Sequence, residues 1–459
     1  MKNVLRRNIN VLLVVFIILF VALIGYLWFV TSTYGERWFV TPYNPRIQNM
    51  QTTVNAGDIY DRAGRALLYT KGGEREYISD KGRRTAVSHI VGDGFGLTYG
   101  AQTNFAKYLY GFDKNAFSRI EDLVSGNERQ GSDIVLTIDA KLSEAALDAL
   151  GDNRGAIVVM NYETGEILAS VSSPNFDPKD MSLFLDGGGE SELVNRAFVG
   201  LYPPGSIFKL VTAAAMIEND LTDFTANCEG SVVIGGQEIA CWDVHGDIDL
   251  AGAISHSCNV YFAKAADVVG VREINETAQA FLFNKQLLTG DVIMGTSVYE
   301  MTTDETNAAW SAIGQYHDLI TPLHACMIAA GIANDGVMMA PKLLLEVVDG
   351  ETVTYTLKPT TAATPMDDTS LLKQMMLDCV QNGTGSNAAI DGYIIGGKTG
   401  TAEIAGDEEN AEHAWFIGFV QDEQHPIAIA VIIERAGSGG SNAAPAARKV
   451  LAAALDIGY

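Results

Sequence analysis

Cysteine, basic residues and repeats are what this 459-residue chain has least of, and each shortage excludes something. Its five cysteines, Cys228, Cys241, Cys258, Cys326 and Cys379, form no C-x-x-C, and no paired histidine spacing accompanies them. Metal-ligand motifs bring their donors together by such short spacings, so no metal site is expected, and no cofactor either. Cys228 and Cys241 flank Gly235-Gly236 and read as a disulfide stapling a hairpin or as separate thiols; the other three read as small core residues. Lys and Arg number 31 against 56 Asp and Glu, a formal charge of −25. A surface of that sign repels nucleic acid and other polyanions, so an anionic substrate needs a local cation. No internal repeat or low-complexity tract appears, which excludes solenoids and disordered arrays.

Long apolar runs are also absent, with one exception. Val11 to Val30 is uncharged and, as a helix, reaches roughly 30 Å, the hydrocarbon thickness of a bilayer. Lys2, Arg6 and Arg7 precede it and place the N-terminus in the cytoplasm, with the rest of the chain outside carrying −28 once those three are set aside. A signal peptide would carry a shorter apolar region and a small-x-small cleavage site, which Thr31-Ser32-Thr33-Tyr34 does not offer. The expected divisions are a cytoplasmic tip (1–8), a membrane anchor (9–31), a small mixed domain (32–130) and a large C-terminal domain (131–459).

Within the large domain, Ile134–Ile138 reads as a strand, and Asp139 as the cap of a helix reaching Leu150. Gly155–Met160 with Gly165–Val171, and Ala414–Val420 with Ile427–Ile433, read as two hairpins. A mainly helical stretch from Leu193 to about Leu345 separates them, and a last helix, capped by Ser441 or Asn442, runs to Leu455. Strands at both ends of a domain with helices between them predict an α+β architecture whose antiparallel sheet is closed by the two halves of the chain.

Three short motifs carry the chemistry. Pro203-Pro204-Gly205 opens a helix that is apolar on every side, which places Ser206 at the N-terminal end of a buried helix. Lys209 lies three positions on, over the same helical face. A serine hydroxyl attacks only when a base takes its proton, and an amine serves if burial and a nearby cation keep it neutral. Ser257 and Asn259, in Ser257-Cys258-Asn259, are expected on the opposite wall, one passing a proton and one binding an amide. Lys398-Thr399-Gly400-Thr401 reads as a strand along which a substrate backbone lies, with room left by Gly400. Gly392 to Thr399 also matches a phosphate-loop pattern, but a strand-like interior and Gly400 in place of a following helix argue against nucleotide binding.

On these motifs, with Asn44-Pro45-Arg46, Leu136 to Asp139, Asn195-Arg196-Ala197, Ile313-Gly314-Gln315 and Ala414-Trp415-Phe416, the chain resembles the class B penicillin-binding proteins, membrane-anchored peptidoglycan D,D-transpeptidases with a short pedestal. The resemblance implies a penicillin-binding, serine β-lactamase-like fold: an antiparallel sheet with helices on both faces, a helical subdomain, and a pedestal domain. It implies Ser206 as nucleophile, Lys209 as base and Ser257 as proton relay. Asn259 would bind the stem-peptide amide; Lys398, Thr399 and Thr401 would hold its carboxylate beside Gly400. The backbone N–H groups of Ser206 and Thr401 would form the oxyanion hole. Implied partners are D-Ala-D-Ala stem peptides, an acceptor amine, β-lactams, the membrane and a membrane-embedded glycan polymerase. The chain departs from the pedestal motif at Ala56, where the family carries Arg, and has Ile207 where Thr is common. A D,D-carboxypeptidase, a β-lactam hydrolase or sensor, and a non-catalytic scaffold are the competing readings. No Glu-x-x-Leu-Asn element after Ser257 positions a hydrolytic water, and intact motifs argue against a scaffold. His245, His413, Glu403 and Asp243 read as structural or surface groups, and Gly437 to Gly440 as a flexible loop.

Overall fold

The computed structural model describes residues 2–39, 54–114, 130–287, 291–404 and 411–459. Asn44-Pro45-Arg46 therefore lies outside the described residues. The first helix, Lys2–Phe39, contains the apolar segment Arg6–Thr31, whose 26 residues are long enough to cross a bilayer. Its large apolar side chains from Ile9 to Phe29 are exposed, as those of a lipid-facing helix would be.

Two sheets organise the rest. The functional one has five antiparallel strands in the order Ile395–Glu403, Glu412–Val420, Ile427–Ile433, Gly155–Asn161, Ile167–Ser173. One register line crosses it through Lys398, Ile417, Ala430, Val158 and Ser170. The first and last portions of the domain thus meet at the Ile427–Ile433 and Gly155–Asn161 pair, as the hairpin pattern predicts. Both faces are covered, which is why Ile427–Ile433 is apolar at every position. Val158, Ala430 and Ile417 point into a core shared with helix Pro322–Ala333, all twelve residues of which are buried. Ile157, Val431 and Phe416 point the other way, against helices Ala140–Leu150 and Ala443–Ile457.

Asp139 caps the first of these two helices, accepting from the N–H groups of Lys141 and Leu142. The cap expected for the last helix is not formed by a side chain: Asn442 has helical φ and ψ, and its amide donates to Ala436 O at 2.7 Å instead.

The second sheet has six strands: Thr352–Thr356, Leu344–Asp349, Asp133–Leu136, Ile59–Tyr60, Ala66–Lys71 and Glu74–Tyr77, in that order. It draws strands from both sides of position 130, because Ile134 pairs in parallel with Ile59 while Leu136 pairs with Leu344. Buried or half-buried ion pairs reinforce the junction, Arg84 gripping Asp177 at 2.7 Å and Arg62 gripping Glu166 at 2.6 Å. Where the pedestal motif lacks its arginine, Arg75 from a neighbouring strand donates to Ala56 O at 3.3 Å and to Asp58.

Candidate active site

The cleft opens where the edge strand Ile395–Glu403 faces the start of helix Lys209–Glu218. It encloses about 510 Å³ and is lined by Ser206, Ser257, Asn259, Thr399 and Thr401, which come from all three motifs. Ser206 sits in a 3-10 turn, Gly205–Ile207, and Lys209 begins the α-helix proper. The turn is pressed against its neighbours. Gly205 N–H donates to Gly314 O at 2.8 Å, and both glycines have φ in the left-handed region, +54° and +78°. A Cβ on Gly314 would stand 2.1 Å from Gly205 O, and one on Gly205 would stand 2.5 Å from Thr401 O, so glycine is required at both positions. Trp415 Nε1 holds Pro203 O from the sheet side at 3.0 Å.

Lys209 is fully buried, and its Nζ donates to Ser257 O (2.8 Å), Asn259 Oδ1 (2.6 Å) and Ser257 Oγ (3.3 Å). Those three bonds join the first motif to the second, and Ser206 is not among the partners of the amine. Burial, and then the charge of Lys398, push the Lys209 pKa well below its ordinary value, which favours the neutral amine that a base requires. Ser257 has φ +55°, a costly conformation for a residue with a Cβ, and one held here by its neighbours. Asn259 begins helix Asn259–Val269, and its Nδ2 donates to Ala240 O at 2.8 Å.

Lys398, expected to help hold the substrate carboxylate, is not among the residues that line the cleft. It is fully buried, donates to Thr399 O at 2.8 Å, and has its pKa lowered by burial to about 8. The hydroxyls of Thr399 and Thr401 line the cleft in its place, with Thr399 bonded to Thr384 at 2.6 Å. Gly400 packs face to face with Gly439, whose Cβ would fall 2.3 Å from Gly400 O. The Gly437–Gly440 segment is therefore a wall of the cleft, contributing Ser438 and Gly440. Position in the sequence also did not single out Trp242, Trp310, Thr384 or Asn387 as lining residues; Gln315 was legible only through its Ile313-Gly314-Gln315 motif. Glu403, read as a surface charge, is exposed at the cleft rim directly across from Glu412, whose own partial burial and then the charge of Glu403 raise its pKa.

The cysteines depart furthest from the sequence reading. All five are free thiols, so no disulfide staples the hairpin Ser231–Ile234/Gln237–Ala240. Cys228 and Cys241 instead meet Cys258 and His245, with their ligand atoms all within 4.8 Å of one another. Twelve residues separate Cys228 from Cys241 and again His245 from Cys258, so within the set only Cys241 and His245 are close in sequence.

A family model described as the penicillin binding protein transpeptidase domain matches residues 155–452. The peptidoglycan D,D-transpeptidase PbpA of Mycolicibacterium smegmatis is 32% identical over 76% of this chain and 78% of its own length. The peptidoglycan D,D-transpeptidase MrdA of Acinetobacter baumannii is 31% identical over 68% of this chain and 52% of its own. Among solved structures, the ceftriaxone acyl-enzyme complex of penicillin-binding protein A from M. tuberculosis superposes with a TM-score of 0.81 at 26% identity, covering 88% of this chain and 99% of that one.

Proposed function

Because the chain belongs to the penicillin-binding protein transpeptidase family, we propose that it is a membrane-anchored peptidoglycan D,D-transpeptidase that β-lactams acylate. The observation that carries this reading is the buried Lys209 amine, bonded to Ser257 and Asn259, in the wall of a cleft that also holds Ser206, Thr399 and Thr401.

In this reading neutral Lys209 takes the Ser206 Oγ proton as the oxygen attacks the penultimate D-Ala carbonyl. The Ser206 and Thr401 N–H groups stabilise the oxyanion. The C–N bond breaks as Ser257 delivers a proton to the departing D-Ala amine, leaving an ester on Ser206. An acceptor amine then attacks the ester, loses a proton to the same relay, and takes the acyl group as Ser206 recovers its hydrogen. Asn259 aligns the donor peptide amide. Thr399 and Thr401 bind the terminal carboxylate, and buried Lys398 supplies positive potential behind them.

Topology, domain division and partner rest on separate features. Lys2, Arg6 and Arg7 ahead of the apolar helix support a cytoplasmic N-terminus and an extracytoplasmic catalytic domain. The division into a pedestal and a catalytic domain is supported by the two sheets, with the sequence boundary at 130 interlaced by strand exchange. Exposed Phe95 and Tyr99 on the pedestal suit a membrane-embedded glycan polymerase as partner. The direct test is labelling with a fluorescent penicillin: covalent signal on the natural protein, none on Ser206→Ala. Equal labelling of the two would remove Ser206 as nucleophile.

A further inference from the structure

The four residues that meet beside the active site have the composition of a structural zinc centre. Cys228 ends the strand Ala226–Cys228, Cys241 follows the Gln237–Ala240 strand, His245 precedes the strand Gly246–Ile248, and Cys258 caps helix Asn259–Val269. Cys228 and Cys258 are buried, and Cys241 and His245 half-buried. His245 Nδ1 lies 3.5 Å from the sulfurs of both Cys228 and Cys241, and Cys241 Sγ lies 4.0 Å from Cys258 Sγ. A tetrahedral Zn²⁺, with Zn–S about 2.3 Å and Zn–N about 2.0–2.1 Å, spaces its ligand atoms about 3.5–3.8 Å apart. These three separations are close to those of a ligand shell, the others lie within 4.8 Å, and all five cysteines are free thiols rather than joined at the roughly 2.05 Å of a disulfide.

The outer contacts of the sulfurs also suit a bound metal. Asn259 N–H points at Cys241 Sγ (3.3 Å) and Tyr261 N–H at Cys258 Sγ (3.4 Å), outer hydrogen bonds of the kind that steady metal-bound sulfur. Three soft sulfurs and one imidazole select Zn²⁺ over the oxygen-seeking Mg²⁺ and Ca²⁺. With four protein ligands no coordination position is left for substrate, so the role is structural.

We propose that Cys228, Cys241, His245 and Cys258 bind one zinc ion that positions the Ser257-Cys258-Asn259 loop for acylation. Cys258 lies between the two cleft residues whose atoms hold Lys209. Cys241 follows Ala240, whose carbonyl accepts from Asn259, and precedes Trp242, which lines the cleft and donates to His256 O at 2.8 Å. The ion would pin the hairpin to the loop from behind and keep Ser257 in its left-handed conformation. Binding displaces protons from the thiols to solvent, with no change of oxidation state.

The experiment uses the full-length protein in detergent micelles, kept reduced and supplied with zinc, then freed of excess ion. Elemental analysis is expected to give one zinc per chain, and cobalt exchanged into the site should give the intense visible spectrum of a tetrahedral thiolate complex. Cys228→Ser, remote from substrate, should lose both signals. Chelation of the natural protein should lower its melting temperature and slow penicillin acylation about tenfold or more, on the scale seen when the outer shell of a metal site is disturbed, with recovery on adding zinc. Sub-stoichiometric zinc in the folded natural protein, a cobalt spectrum lacking sulfur bands, or a disulfide within the set in the presence of zinc would each overturn the site. Full zinc content with an acylation rate indifferent to chelation would overturn the positioning role alone. The metal readouts stand apart from the transpeptidase reading, so the failure of either is distinguishable.

Discussion

Replacing Lys209 by Met separates the chemical role of the amine from its structural one. Met has a similar length and no charge, so it fills the same buried volume at small cost. The substitution removes the donor of three hydrogen bonds, leaving Ser257 O and Asn259 Oδ1 without it. Stranded acceptors of this kind cost about 1–3 kcal/mol each, while relief from burying an amine offsets part of that sum. A net loss of about 2–4 kcal/mol leaves a domain with a typical stability of about 5–15 kcal/mol folded. General-base catalysis is worth about 10²–10⁴-fold, or roughly 3–5 kcal/mol of barrier. The expected result is a second-order rate of penicillin acylation lowered about 10²–10⁴-fold in a protein that still melts cooperatively. The natural enzyme should also gain rate as pH rises through the depressed Lys209 pKa, well below the ordinary lysine value, since only the neutral amine accepts the Ser206 proton. Stopped-flow acylation across pH, beside calorimetry, reads both. A Met variant within threefold of the natural rate, or one keeping the same rising limb, would show that Lys209 is not the base.

Gly314→Ala should abolish labelling and lower stability by about 2–5 kcal/mol, through left-handed strain of about 1–2 kcal/mol and overpacking of about 1–3 kcal/mol; wild-type melting would mean that the turn around Ser206 tolerates a Cβ. Lys398 has its pKa lowered to about 8 in the folded state, so between about pH 8 and the unfolded value near 10.4 the unfolded chain binds more protons, and stability rises with pH. Denaturant titrations of Lys398→Met should accordingly show a flatter slope than the natural protein over pH 8 to 9.5, and parallel slopes would contradict the burial. Raising salt from about 10 mM to 100 mM shortens the screening length from about 30 to about 10 Å, so association with an anionic penicillin should speed up modestly; a clear slowing would mean that the long-range field attracts.

The sheet was legible because its strands state both of their faces. Ile427–Ile433 is apolar at every position, and a strand needs that only when helices cover it on two sides. The order of the three motifs likewise predicted a shared cleft, which Ser206, Ser257 and Thr399 line. What stayed hidden was set by tertiary contact. The direction of Lys209 toward Ser257 rather than Ser206, and the withdrawal of Lys398 behind Thr399, depend on which neighbours bury each amine. The pairing of Ile134 with Ile59 carries no mark in either segment that names the other. The cysteine cluster failed the local test for the same reason, since its ligands converge only after a hairpin and a helix have folded against each other.

The placing of Lys398 also answers the charge problem raised by composition. A chain carrying −25 must attract a carboxylate into a cleft whose rim holds Glu403 and Glu412. Surface charges act through water and are screened within about 10 Å at 0.1 M salt, so their repulsion weakens outside the cleft before the substrate commits. A buried ammonium is screened far less, and at a separation of about 4 Å in a medium of effective dielectric 20 one charge pair is worth about 4 kcal/mol. Exposing Lys398 to water would forfeit most of that attraction. Burying it lowers its pKa to about 8, still above neutral, so the side chain keeps its proton at pH 7 while Lys209, pushed further by burial and by the charge of Lys398 itself, is the amine favoured to give its proton up. In the proposed mechanism the two lysines divide the work by environment: one remains the cation, and its charge lowers the pKa of the other, the proposed base.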